Sequence, residues 1–227
     1  KLLGYLKADV DNLGSLFVYG LREETRDRNS ISRLATMSRM LDLFFSGRIE
    51  QLLNTTFNRC YTVYSGGDDL LIIGPWDEIV SLAPTIKDDF NRFTNQNPNI
   101  SLSAGIGLAK PRMPLSRSVS VADEALEESK EKVLHGEQEG RNQVTFLGST
   151  MKWEKFNEIL PVAKQVAGWL QNDVISSSFV RKLATYAKMH NDYYLNGNIR
   201  GLRYIPLLTY DISRNFPELN DIKDKED

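Results

Sequence analysis

The chain has 227 residues and a mass of 25.8 kDa, 41% hydrophobic and 26% charged, enough apolar material for one large domain or a typical domain plus a small one. That composition excludes disorder as the main state, and no apolar run approaches the ~18 residues of a membrane span. A net charge of −2 argues against a protein that coats nucleic acid by bulk charge. The single Cys60 excludes an internal disulfide and any paired-cysteine zinc site, and with only His135 and His190 a histidine-rich metal site is excluded too. The expected compartment is reducing and cytoplasmic, with no membrane partner.

The chain opens at Lys1 directly inside an apolar strand pattern, Leu2 to Leu6, which suggests a trimmed piece of a longer protein. Residues 2–9 read as a buried strand ending in acidic residues, followed by a polar, Arg-rich stretch from Arg22 to Arg33. Leu34, Met37, Leu41, Phe44, Phe45, Ile49 and Leu52 then recur at helical spacing. Tyr61–Tyr64 reads as a strand, Gly66-Gly67 as its turn, and Leu70–Ile73 as a buried strand. A helix carries Ile79, Ala83, Ile86, Phe90 and Phe93, with Pro84 starting or kinking it. Ile100–Leu108 is strand-like, Leu115–Val133 an amphipathic helix, His135–Gly140 a polar loop, and Val144–Phe146 an edge strand.

This order, β-α-β-β-α-β with an added helix and strand, predicts an α+β ferredoxin-like palm, an antiparallel sheet with its helices on one face. From Met151 the pattern turns helical, with stripes through Phe156–Leu170, Phe179–His190 and Leu202–Ile212 and an N-cap expected at Ser176–Ser178. The predicted division is therefore a palm over 1–150 and a small all-α domain over 151–227, ending in a solvated acidic tail from Asp221.

Ser65-Gly66-Gly67-Asp68-Asp69 is the sharpest chemical signal. A tight hairpin accounts for the glycines. Two adjacent aspartates entering a strand are harder to explain, because like charges crowd there and Asp is a poor strand former; a bound cation would resolve the repulsion. Asp9-Val10-Asp11 ends the first strand, which in this topology lies beside the central hairpin. Asp9, Asp11, Asp68 and Asp69 then form a hard, all-oxygen set suited to two Mg²⁺ or Mn²⁺ ions in a phosphoryl transfer. Backbone amides of Asn12, Leu13, Gly14 and Ser15 could cradle a triphosphate, and Lys130 and Arg141 are candidate phosphate cations. A plain turn and solvated surface cations remain open as alternatives for these residues. Cys60 and His190 sit in apolar patterns and read as packing residues, and His135 as exposed.

ADVDNLGSLF at 8–17, SISRLATMSR at 30–39, SGGDDL at 65–70, SAGIGLAKP at 103–111, ADEALEESK at 122–130 and GRN at 140–142 together resemble the large catalytic subunit of type III-A CRISPR (Csm) effector complexes. The match spans essentially all of 1–150, although the GGDD segment and the tail from Ala122 to Asn142 are shared with GGDEF diguanylate cyclases. The resemblance implies synthesis of cyclic oligoadenylates from ATP within an antiviral complex of further subunits and crRNA, switched on by target RNA. It implies that Asp9, Asp68 and Asp69 hold the divalent ions, with Asp11 as a fourth carboxylate. Ser65, beside Gly66 and Gly67, is implied to touch an adenine, and the 12–15 backbone a triphosphate.

The chain departs from the diguanylate-cyclase pattern in three ways: DD stands for the usual acidic pair, Gly14 and Ser15 stand where cyclases place a lysine, and Lys130 lies farther from Arg141. It has no His-Asp dipeptide and no cysteine cluster, so the family's single-strand DNase and zinc segment are not expected in it. The family builds its synthase pocket from two palms, so this piece alone is expected to turn over poorly, and whether it forms a homodimer is open. A stand-alone nucleotide cyclase using GTP, and a silent palm acting as scaffold, are the alternatives.

Overall fold

A computed structural model of the chain describes residues 2–20, 30–137 and 139–216, with the backbone alone of residues 22–23 and 26–27. The side chains of Arg22, Arg26 and Arg28 and the acidic tail lie outside the described residues. The chain divides into two compact units, Lys1–Leu160 and Pro161–Asp227.

In the first unit β1 (Leu3–Val10) leads into the short helix α1 (Leu13–Tyr19) and a two-rung ladder of β2 (Arg22–Glu23) and β3 (Arg26–Asp27). Helices α2 (Ile31–Asp42) and α3 (Ile49–Thr55) flank a π-helical turn, Leu43–Arg48. Then follow β4 (Tyr61–Gly66), β5 (Asp69–Pro75), α4 (Trp76–Phe93), β6 (Leu102–Ala109), α5 (Leu115–Glu131), β7 (Gln143–Phe146) and β8 (Ser149–Lys152). The sheet order is β4-β5-β1-β6-β7-β8. Its first four strands are antiparallel throughout, as the ferredoxin-like reading requires, whereas β7 joins β6 in parallel after the α5 crossover. The sheet is therefore mixed.

Alternation along β1 sorts the two faces. Leu6, Ala8 and Val10 pack with Leu70, Ile72, Leu102, Ala104 and Ile106 against Phe44, Phe45, Ile49 and Phe90. The π turn inserts an extra residue and lets consecutive Phe44 and Phe45 both enter this core, at 1% and 0% exposure. Phe44 meets Phe45 and Phe90 edge to face at 5.3 and 5.2 Å. Pro84 is tolerated inside α4 on its buried side. Tyr5, Ala109 and Ala122 make a smaller cluster on the opposite face, where α5 lies. The two helical layers of the ferredoxin-like core thus share one face as expected, and α5 covers part of the other.

The sequence-based boundary at 150/151 moves to 160/161, inside α6 (Trp153–Gln171). Trp153 and Phe156 belong to the palm core, and the Trp153 indole donates to the Leu102 carbonyl at 2.8 Å. Val144–Phe146 is likewise not the sheet edge: Leu147 and Gly148 both take positive φ, 51° and 71°, and turn the chain into β8.

The second unit contains the rest of α6, α7 (Ser177–Asn196), a 3₁₀ turn Ile199–Arg203 and α8 (Tyr204–Asn215). Ser176 caps α7 as expected, accepting from the Phe179 amide at 3.1 Å. Trp169 and Phe179 pack on Phe216 at 5.9 and 6.1 Å. Asp211, 2% exposed, accepts from Lys182 Nζ at 2.8 Å and from the Tyr186 hydroxyl. No described helix is long and apolar enough to cross a membrane.

Two outcomes follow from this packing. A Cβ on Gly105 would lie 2.2 Å from the Leu126 nitrogen and 2.5 Å from the Ala122 carbonyl oxygen, both backbone atoms of α5. Gly105→Val should therefore cost about 2–3 kcal/mol, read from the urea midpoint. Hydrogen bonds from Lys182 and Tyr186 hold the Asp211 carboxyl below its ordinary value. A depressed acid stabilises the fold above its unfolded pKa of about 3.9 and loses that contribution as pH falls through the folded value. Acid titration followed by circular dichroism should thus show the second unit weakening below about pH 4, and Asp211→Asn should weaken it at neutral pH and remove that acid dependence.

Candidate functional site

The pairing of β1 with β5 sets Asp9 directly opposite Asp69. Opposed residues of an antiparallel pair point to the same face, with Cβ atoms about 5 Å apart. Asp68 sits beside them in the two-residue loop closed by the Gly66–Asp69 pair. Gly67 takes φ +67° at the first position of that loop, a conformation that a side chain would strain. The Val10 amide donates to the Asp68 carbonyl at 3.0 Å, tying the end of β1 to the loop. Asp9, Asp68 and Asp69 are half-buried, at strand ends left open by α5.

Burial raises the Asp9 carboxyl above its ordinary value. Lys130 opposes that rise, while the charges of Asp68 and Asp11 add to it. Lys130, in the last turn of α5, places Nζ 2.5 Å from Asp9 Oδ2.

Asp11 differs from the other three in its partners. It is 3% exposed, and its carboxylate accepts from Ser101 Oγ at 2.6 Å, Ser103 Oγ at 2.7 Å and the Asn142 amide at 3.0 Å. Its charge also favours the buried ammonium of Lys87, which burial pulls below the usual lysine value. The side chain expected as a fourth cation ligand instead fastens β1 to β6 and to the loop before β7. The reason is local: Asp11 lies beyond the last residue of β1, where Ser103 of β6 and Ser101 just before that strand can enclose it.

Ser65 donates to the Phe45 carbonyl of the π turn at 2.5 Å. It also lines an open groove of about 490 Å³ with Phe45, Ser46, Glu50, Asn54, Cys60 and Thr62. Asn12 caps α1 in the left-handed conformation, φ 55°. Leu13, Gly14 and Ser15 form the helix's first turn, where N–H groups have no intrahelical acceptor. The GRN segment folds back on α5: the Arg141 amide donates to the Ser129 carbonyl at 3.2 Å, with Arg141 and Asn142 at φ 85° and 49°. Lys130 and Arg141 are thereby neighbours in space despite their long spacing.

The donor set of Asp9, Asp68 and Asp69 is all oxygen, which suits Mg²⁺ or Mn²⁺. In the arrangement described, Asp9 is engaged by Lys130, and among the described residues no three His, Cys, Asp or Glu side chains are gathered closely enough to hold a metal ion. The three residues fit the cations in type, and Asp9 and Asp69 share a face.

Sequence reasoning passed over a polar network on the same face. Lys7, two residues before Asp9, pairs with Asp123 of α5 and lies near Tyr64 of β4. The two-residue period of a strand was the available signal. Cys60 and His190 do pack as expected, Cys60 against the main core and His190 between Tyr194 and Tyr204 at 4.3 and 5.4 Å; His135 is exposed.

Residues 2–145 match the family model described as Cas10/Cmr2, second palm domain. Among similar proteins is a CRISPR system single-strand-specific deoxyribonuclease Cas10/Csm1 (subtype III-A) of Methanocaldococcus jannaschii, 38% identical over 177 residues, 70% of this chain and 22% of that protein. A protein of the same description from Enterococcus italicus is 42% identical over 118 residues, 52% of this chain and 15% of its own length. The chain thus spans about a fifth of these relatives. Among solved structures, a Csm1-Csm4 cassette in complex with pppApApA superposes with a TM-score of 0.72 at 27% identity, covering 96% of this chain and 32% of that one. A Csm1-Csm4 cassette in complex with one ATP gives a TM-score of 0.66 at 27% identity, with the same coverages.

Cys60 offers a check on the groove. Burial and then the neighbouring Glu78 push its thiol up to about 12. Alkylation of the native chain at pH 8 should run roughly a thousandfold slower than in denaturant, followed by mass spectrometry. A rate close to that of the unfolded chain would show an open, unshielded thiol.

Proposed function

Because this chain belongs to the Cas10/Cmr2 second palm domain family, we propose that it is the nucleotide-polymerising palm of a type III-A CRISPR subunit, joining ATP into cyclic oligoadenylates. The observation that carries this reading is the Asp9–Asp69 rung with Asp68 at the adjoining hairpin tip, three acidic residues at neighbouring ends of β1 and β5. Solved relatives bound to ATP, pppApApA and cA4 are similar to nearly the whole chain, which supports a nucleotide as the ligand of this edge.

In this reading Asp9, Asp68 and Asp69 hold two Mg²⁺ or Mn²⁺ ions, which when bound supply charge neutralisation at the reacting phosphate. The chemistry asked of the palm is positioning. A 3′-hydroxyl oxygen of one nucleotide forms a bond to the α-phosphorus of another, the bond to pyrophosphate breaks, and the hydroxyl proton passes to solvent or to pyrophosphate. The first-turn amides of Leu13, Gly14 and Ser15, with Lys130 and Arg141, are assigned to the triphosphate. The groove beside Ser65 is assigned to the base. No side chain forms a covalent intermediate. Within the larger protein the palm acts beside other Csm subunits and crRNA and responds to target RNA.

Asp68→Asn combined with Asp69→Asn should weaken Mn²⁺-dependent binding of a non-hydrolysable ATP analogue by tenfold or more, on the order of two lost charge-assisted contacts, measured by calorimetry. Thermal stability should hold or rise, since two like charges are removed from one hairpin. Equal binding by the double variant and the wild-type chain would overturn the assignment.

A further inference from the structure

We propose that Lys130 is a built-in counter-ion that keeps the cation's place at Asp9, so that a divalent ion and the Lys130 ammonium compete for one carboxylate. The inference rests on the metal-binding reading of Asp9, Asp68 and Asp69 and adds a sign to it: the lysine opposes cation loading until the ion displaces it.

The geometry gives the reason. Lys130 Nζ lies 2.5 Å from Asp9 Oδ2, and the two side chains are 23% and 24% exposed, a half-buried pair in which charges are poorly screened. Asp9 faces Asp69 across one rung and feels the charge of Asp68. Without an ion, a lone cation must offset this crowding. Lys7, which shares the face, is tied to Asp123 and Tyr64. Lys130 is thus the cation in contact with Asp9 among the described residues.

A divalent ion bound to Asp9 at about 2.1 Å would lie within a few ångströms of an ammonium left on the same carboxylate, and the two like charges repel. The backbone at Lys130 cannot retreat. α5 is seated on Gly105, and the Arg141 amide bonds to Ser129, one residue before Lys130. The four-carbon side chain can swing, and its backbone adjoins the Gly140–Arg141 segment, so a phosphate bound there would receive it. Displacement by the ion therefore hands the ammonium to the nucleotide, and the two loading events become linked.

The test uses this chain and Mn²⁺ alone, titrated by electron paramagnetic resonance in the absence of nucleotide. Lys130→Met should tighten Mn²⁺ binding by ~fivefold or more, the scale of removing one competing unit charge, while weakening binding of a non-hydrolysable ATP analogue in the presence of Mn²⁺. Lys130→Arg, which keeps the charge, should not tighten Mn²⁺. Acylation footprinting of the wild-type chain gives a readout without any variant: saturating Mn²⁺ should raise modification of Lys130 relative to Lys7. Mn²⁺ binding that is unchanged or weaker in Lys130→Met, or a Lys130 footprint indifferent to Mn²⁺, overturns the proposal while leaving the metal site standing. Failure of the wild-type chain itself to bind Mn²⁺ overturns the metal-site reading beneath it.

Discussion

The strand register between β1 and β5 is the constraint on which the acidic edge depends. Side chains alternate with a period of two, so a slip of one residue would turn Asp9 away from Asp69 and bring Leu6, Ala8 and Val10 out of the main core. The hydrophobic face therefore enforces the position of the carboxylates. Burial of aliphatic groups at roughly 25 cal/mol per Å² outweighs the mutual repulsion of two half-buried acids. The Val10–Asp68 backbone bond and the tight Gly67-Asp68 turn complete this alignment at the open end.

The two faces of the sheet divide the work. One is filled by aromatic and aliphatic packing under α2, the π turn, α3 and α4, where Phe44 meets Phe45 and Phe90 edge to face. The other receives α5, brought close by Gly105, and this helix delivers Lys130 to Asp9 and Asp123 to Lys7. Charged residues are tolerated on that face because each is paired or lies near the solvent-open strand ends. Asp11 shows the same rule at greater depth: its burial is supported by three donors and by the nearby charge of Lys87.

The π turn joins core and groove. Its extra residue turns two consecutive phenylalanines inward, and the Ser65 hydroxyl binds one of its carbonyls. Ser65 is thereby held at the rim of the groove by the helix that packs the core behind it. In the second unit the aromatic cluster around Phe216 and the Asp211 hydrogen bonds perform the packing and pinning separately.

Much of the fold is legible in the residues alone. Apolar periodicity marks β1, β4, β5, α4, β6 and α5, and the order of those elements specifies the ferredoxin-like core, because each segment's pattern matches the face it buries. The acidic hairpin is legible for the same local reason: two aspartates at the start of a strand contradict its propensity. The mixed sheet, the extra hairpin strand β8 and the seat of Trp153 and Phe156 depend on contacts between segments distant in sequence, as does the boundary inside α6. So do the partners of the charges. Asp9 and Asp11 stand two residues apart and look alike in the sequence, yet one meets a helix-borne lysine and the other two serines at the start of β6 and just before it. Residue type alone placed acids at the end of β1 and in the hairpin; the strand register and the long-range approach of α5 and β6 decided which of them faces a lysine and which is bound by serine hydroxyls, because those partners lie far away in sequence.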